Sequence, residues 1–128
     1  MKTVKYFLIV NGIILLAYSI SFFVKPELLG QLVGFTHHSP NTLVEITAFY
    51  GGLELGIALF LIWSSLKNER QYLGLMAFTI IFFCAGIARL YGIMRFGFDM
   101  DYSQPIVTGV EITFSLLGFF LAKKLRNQ

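Results

Sequence analysis

Four long apolar runs alternate with short polar breaks along the chain. The first runs from Val4 to Val24, with Lys2 and Lys5 at its start and Lys25-Pro26 after it. At about 1.5 Å of rise per residue, it spans the ~30 Å hydrocarbon layer of a bilayer. A secretory signal has an apolar core of only about 7–15 residues and closes on a small-x-small cleavage site. This run is longer and ends Ser-Phe-Phe-Val-Lys, so the pattern predicts a retained helix. The other three runs predict spans over residues 42–66, 72–94 and 105–122.

The breaks carry their own signals. Pro26-Glu27 places a proline and an acid where a helix tolerates them best, at its first turn. Leu28, Leu29, Leu32, Val33 and Phe35 supply an apolar side, which predicts a short interfacial helix over residues 26–33. Gly34 and His37-His38-Ser39-Pro40-Asn41 predict a polar turn, with Asn41 or Thr42 as the cap of the next helix. Lys67-Asn68-Glu69-Arg70 reads as a tight turn that makes spans two and three antiparallel neighbours. The connection over residues 95–104 is longer and carries Asp99 and Asp101. No internal repeat or low-complexity segment is evident. The expected fold class is all-α: a single four-span integral membrane domain over residues 1–128, built as a four-helix bundle.

Composition agrees. Hydrophobic residues make up 56% of the 128 and charged residues 13%, about half the ~25% charged content of a soluble domain. A soluble chain this short could not bury so much apolar surface. The net charge of +3 forms no aromatic-interleaved basic patch, so nucleic acid is not an expected partner. Lys2, Lys5, Lys67, Arg70, Lys123, Lys124 and Arg126 fall on one side of the predicted topology, against Lys25 and Arg95 on the other. The positive-inside rule then puts both termini in the cytoplasm, with the chain in the cell inner membrane. The single Cys84 lies in an apolar run, which excludes an intrachain disulfide and predicts a buried, inert thiol.

Charge within the spans needs a reason, because a buried charge near the centre of a membrane helix costs about 3 kcal/mol. Glu45, Ala48, Gly52 and Gly56 fall on one stripe of an ideal helix, and Gly52-x-x-x-Gly56 is a small-xxx-small packing pattern. Glu54 falls on the opposite side, roughly 13 Å along the axis from Glu45, near Thr47, Tyr50 and Gly51. Span three offers Gly86, Arg89 and Gly92 at three-residue steps, and span four offers Thr108, Glu111 and Ser115 on one face. By rise per residue, Arg89 and Glu111 both lie about 8–9 Å below the outer boundary, level with Glu45. These three predict a buried polar cluster, read either as a structural ion pair or as part of a pocket. One arginine cannot neutralise Glu45, Glu54 and Glu111, so at least one acid is expected to be protonated or hydrated.

Other chemistry is thin. His37-His38 lacks a third ligand at a recognisable spacing, so no metal is expected, and no span holds a histidine for haem. No cofactor is expected. Phe78, Phe82 and Phe83 read as packing residues.

Glu45-x-x-Ala48-x-Tyr50-Gly51-Gly52, then Gly86-x-x-Arg89-x-x-Gly92, then Glu111 in the last span, together resemble a widespread bacterial family. Its members are small four-span membrane proteins known only as a domain of unknown function. The resemblance covers nearly the whole chain and implies a four-helix membrane fold in which Glu45, Tyr50, Arg89 and Glu111 matter. It implies no activity. Members usually carry an arginine two positions after the first glutamate. Thr47 stands there in this chain, which argues against a second Arg–Glu pair.

The leading expectation is an outward-facing polar pocket bounded by Glu45, Tyr50, Arg89 and Glu111, extended inward by Glu54. It would take a small amphiphilic or lipid-like ligand. A second expectation is a membrane enzyme working on a lipid or isoprenoid substrate, with Glu54 and Glu45 as acid–base residues and Tyr50 as a donor. The remaining classes are a proton-coupled transporter and an accessory subunit. The latter would dock its Gly52–Gly56 stripe on a larger membrane partner or a second copy.

Overall fold

Lipid offers no hydrogen bonds, so an apolar chain that crosses it must pair its backbone groups internally. The computed structural model, which describes residues 2–36, 38–98 and 102–127, is all-α over those residues. Its elements are α1 (Lys2–Val24), α2 (Leu28–Val33), α3 (Pro40–Ile46), a π-helical segment (Thr47–Leu53), α4 (Glu54–Ser65), α5 (Asn68–Phe96) and α6 (Ser103–Arg126). α3, the π segment and α4 run on as one rod, Pro40–Ser65. With α1, α5 and α6 it makes four helices long and apolar enough to cross a membrane. The four predicted spans are therefore present.

The ends differ from expectation by a few residues, for local reasons. The second span is capped by Ser39, not by Asn41 or Thr42. The Ser39 hydroxyl accepts from the Thr42 N–H at 3.2 Å, and Pro40 fills the first helical position. The Pro26-Glu27 pair forms a turn, and the interfacial helix starts only at Leu28. Gly34, at φ +86°, closes that helix with its N–H on the Gly30 carbonyl at 2.9 Å. Asn68, Glu69 and Arg70 belong to the first turn of α5, so the predicted polar turn shrinks to Leu66-Lys67. Glu69 then sits at the positive end of the helix dipole. The predicted residues His37, Asp99 and Asp101 lie outside the described residues.

The chain divides into two compact units, Lys2–Lys67 and Asn68–Gln128. In the N-terminal unit, α1 lies antiparallel on α4 and the π segment. Its inward residues Val4, Leu8, Asn11, Ser19 and Phe22 recur at spacings that keep one helix face. Gly12 is the point of closest approach: a Cβ there would stand 2.7 Å from Ile62 Cγ1 and 3.2 Å from the Ala58 carbonyl. Asn11, 7% exposed, donates its side-chain amide to the Phe7 carbonyl at 2.8 Å. Phe22, Leu29 and Ile46, backed by Leu28 and Phe35, form the apolar cluster that holds α2 to this unit.

In the C-terminal unit α5 and α6 form a second antiparallel pair. Phe78 is fully buried and stacks on Phe82 with ring centroids 4.2 Å apart, whereas Phe83 is exposed. Gly118 lets the helices meet, since a Cβ there would lie 2.6 Å from Thr79 Oγ1 and 3.2 Å from the Phe78 ring. Three buried serine hydroxyls return to their own helix. Ser19, Ser64 and Ser115 each donate to a carbonyl three residues back at 2.7–2.9 Å. Cys84 is exposed, contrary to the expected buried thiol. An apolar neighbourhood along a membrane helix marks the side facing lipid as readily as the side facing protein.

These contacts rank the glycines. Gly118→Ala should lower the thermal unfolding midpoint in detergent, by an overpacking cost of about 1–3 kcal/mol. Gly56→Ala, where no described atom lies within 4 Å of the new Cβ, should hold or raise it by up to about 1 kcal/mol through helix propensity. Equal midpoints for the two variants would contradict the assigned seam.

Candidate functional site

On α6, Gln104, Thr108, Glu111, Ser115, Gly118 and Ala122 follow one another at steps of four and three, the spacing of a single helix seam. Arg89 reaches that seam from α5. Its Nε donates to Glu111 Oε2 at 3.0 Å and its Nη2 to Glu111 Oε1 at 3.0 Å, a two-pronged fork. Its Nη1 donates to Gln104 Oε1 at 2.8 Å. The Glu111 side chain is 13% exposed and that of Arg89 34%.

Gly86, one turn before Arg89, makes the reach possible. A Cβ there would stand 2.9 Å from Ile112 Cγ1 and 3.4 Å from Glu111 Cβ, so only a glycine lets α6 come this close. The Thr108 hydroxyl donates to the Gln104 carbonyl at 2.8 Å and fixes the turn that presents Gln104. Opposite charges in a fork, with a neutral amide on the third nitrogen, bind the two helices and cancel each other's cost in lipid.

In the N-terminal unit the distinctive feature is the π segment. The Glu54 N–H reaches back five residues to the Phe49 carbonyl, which is the π pattern. Thr47 opens the segment and donates its hydroxyl to the Leu43 carbonyl at 2.8 Å. Gly51 is buried under Phe23, whose ring atoms would stand 3.1–3.3 Å from a Cβ at that position. The Tyr50 ring lies 5.6 Å from that of Phe22, which in turn meets Tyr18 edge-on at 4.7 Å. Phe23, Leu43, Val44, Thr47, Ala48 and Gly52 line a shallow, open hollow of 450 Å³ beside the segment.

The wide turn also corrects the sequence-based register. An extra residue per turn rotates the rest of the rod by about 100° relative to an unbroken α-helix. Ala48 and Gly52 line the same hollow, and Glu45, Ala48 and Gly56 are all exposed. The π segment lies between Glu45 and Glu54, whose angular separation was drawn for an unbroken α-helix. Within the C-terminal unit no described atom lies within 4 Å of where a Cβ at Gly92 would be.

Of the predicted cluster, Arg89 and Glu111 are joined. Glu45 is exposed on α3 in the N-terminal unit, Tyr50 lies within the π segment, and Glu54 comes directly after it with Oε2 buried. Sequence reasoning missed Gln104, which it placed in a loop. Its distance of seven residues from Glu111 was the available signal. It also missed the π segment, whose one trace in the sequence is the adjacent Gly51-Gly52 pair. His38 packs over Gly30 with its ring 4.9 Å from Phe35.

Four apolar spanning helices with an arginine clasped to a glutamate inside them define a small multi-pass membrane protein. The chain belongs to the family described as "Domain of unknown function (DUF4345)", whose model matches residues 3–122. No curated protein and no solved structure matches the chain.

The clasp has a measurable signature. Arg89→Lys keeps the charge but cannot form the fork, and should destabilise the protein by about 1.5–3 kcal/mol, the range for hydrogen bonds to charged groups. Gln104→Ala should cost less, about 1 kcal/mol. Thermal unfolding in one detergent reads both, and a midpoint for Arg89→Lys equal to that of the parent would rule out the clasp.

Proposed function

We propose that the protein binds a small amphiphilic or lipid-like molecule, with the apolar part of that molecule in the hollow beside the π segment. One observation carries this reading: a shallow, open apolar hollow of 450 Å³ lies against the irregular turn of the second span. That volume falls within the roughly 300–1,000 Å³ range of small-molecule sites. π segments inside α-helices recur at functional sites, which adds weight to the location. Thr47 puts one polar group among the apolar walls. On this reading Arg89 and Glu111 serve as the clasp of α5 and α6 rather than as ligand contacts.

Ala48→Phe would fill the hollow from its wall. A series of lysophospholipids of increasing chain length should raise the unfolding midpoint of the parent protein and leave Ala48→Phe unmoved, with the variant still folded. Equal shifts in both proteins would overturn the assignment.

Glu54 favours a second reading. Its Oε2 is buried where the π segment gives way to α4, a setting suited to acid–base chemistry on a membrane-soluble substrate, with Tyr50 nearby in sequence as a donor and Glu45 as the second carboxylate. Turnover of lipid or isoprenoid substrates that disappears in Glu54→Gln supports it, and turnover indifferent to that change removes it.

The basic residues support an inner-membrane orientation with both termini cytoplasmic. A fluorescent protein fused to the C-terminus should then fluoresce and a fused alkaline phosphatase should be inactive. The reverse pattern would invert the topology.

A further inference from the structure

At the end of the α5–α6 pair away from Arg89, the two helices enclose a hollow of 260 Å³ with a divided character. Tyr72, Lys123 and Arg126 edge it with polar and basic groups, and Met76, Phe119 and Ala122 give it an apolar floor. A second hollow of 280 Å³ lies next along the same pair of helices, and Phe119 lines both. Its walls include Ile80, Phe83 and Leu116, and it reaches Cys84. The two hollows follow one another along the α5–α6 pair on either side of Phe119, the first edged by Lys123 and Arg126 and the second apolar. By rise per residue, the distance from Tyr72 to Cys84 is about 18 Å, close to the ~15 Å depth of one leaflet of hydrocarbon.

We propose that these two hollows together hold one anionic phospholipid. Lys123 and Arg126 take the phosphate, the Tyr72 hydroxyl donates to it, and an acyl chain lies along Met76, Phe119 and Leu116. The argument is charge complementarity combined with length: a phosphate and a chain, joined at the membrane surface, match a cationic rim and a leaflet-deep apolar trough. Basic pockets at the ends of membrane helices are recognised sites of this kind. The site is separate from the hollow beside the π segment, and neither proposal depends on the other.

Lys124 is the internal control. It shares the last basic turn of α6 with Lys123 and Arg126 but lines neither hollow. A general attraction of the helix end for acidic membranes, or compensation of the helix dipole, would use all three alike.

Native mass spectrometry of the full chain in mild detergent tests the proposal, with phosphatidylglycerol and phosphatidylcholine of matched chains as competing probes. The parent should retain one phosphatidylglycerol in preference to phosphatidylcholine. Lys123→Gln/Arg126→Gln should lose about 30-fold in that affinity, equivalent to roughly 1 kcal/mol for each basic side chain. Lys124→Gln should keep the preference, and Leu116→Trp, which obstructs the trough, should lose it with the basic rim intact. The proposal is overturned by an absent preference in the parent. It is also overturned by a loss in Lys124→Gln equal to that of the double variant, or by inorganic phosphate displacing the lipid at equal concentration.

Discussion

Between two helices in lipid the hydrophobic effect is nearly silent, because a leucine gains little by leaving one apolar neighbour for another. What remains is close approach and the pairing of polar groups, and this structure depends on that constraint throughout. Its seams are built from the smallest residues. Gly12 admits Ile62 and Ala58, Gly51 admits Phe23, Gly86 admits Ile112, and Gly118 admits Thr79 and Phe78. Between these points Ser19, Ser64 and Ser115 bond to their own helix backbone, so these hydroxyls sit in the seams without demanding partners across them. The Arg89–Glu111 fork belongs to the same design, since the glycine one turn away sets the distance at which both prongs reach 3.0 Å.

The second span obeys the constraint differently. A π turn keeps every residue within a helix but lengthens the ring that each hydrogen bond closes, which widens the rod and redirects side chains. Here the widening falls where Gly51 lies under Phe23 and Phe22 meets Tyr50, so two bulky aromatics of α1 face the irregular turn. Thr47 at the start ties its hydroxyl back to Leu43, which keeps the entry to the segment hydrogen-bonded. Ala48 and Gly52 line a shallow hollow beside the segment.

How much of this was legible depends on which signal each feature leaves. Long apolar runs are one-dimensional, so the four spans were readable to within a few residues at their ends. The ends moved where a single side chain decided them, as when Ser39 rather than Thr42 took the cap. Arg89 and Glu111 were readable as neighbours, in one cluster with Glu45, because charges are expensive in lipid and need partners. Gln104 was not, because whether it stood in a loop or on a helix turned on the start of α6 at Ser103. The π segment was opaque for a deeper reason: period-based reading assumes one angle per residue, and a local change of that angle leaves only a faint trace in residue type, here the Gly51-Gly52 pair. Burial misled in the same manner at Cys84, since lipid and protein are equally apolar.

These corrections shift where chemistry is to be sought. Sequence spacing gathered Glu45, Arg89 and Glu111 into one cluster and made the arginine its centre. The structure spends three nitrogens of that arginine on Glu111 and Gln104 inside the C-terminal unit, a geometry that serves cohesion first. Cohesion of this sort leaves a different element with unexplained cost. The π turn, its two glycines and the hollow they border make the second span a poorer packing element than a plain helix would be. One unit thus joins Arg89 to Glu111 and Gln104 across its two helices, while the other carries an irregular turn within its second span.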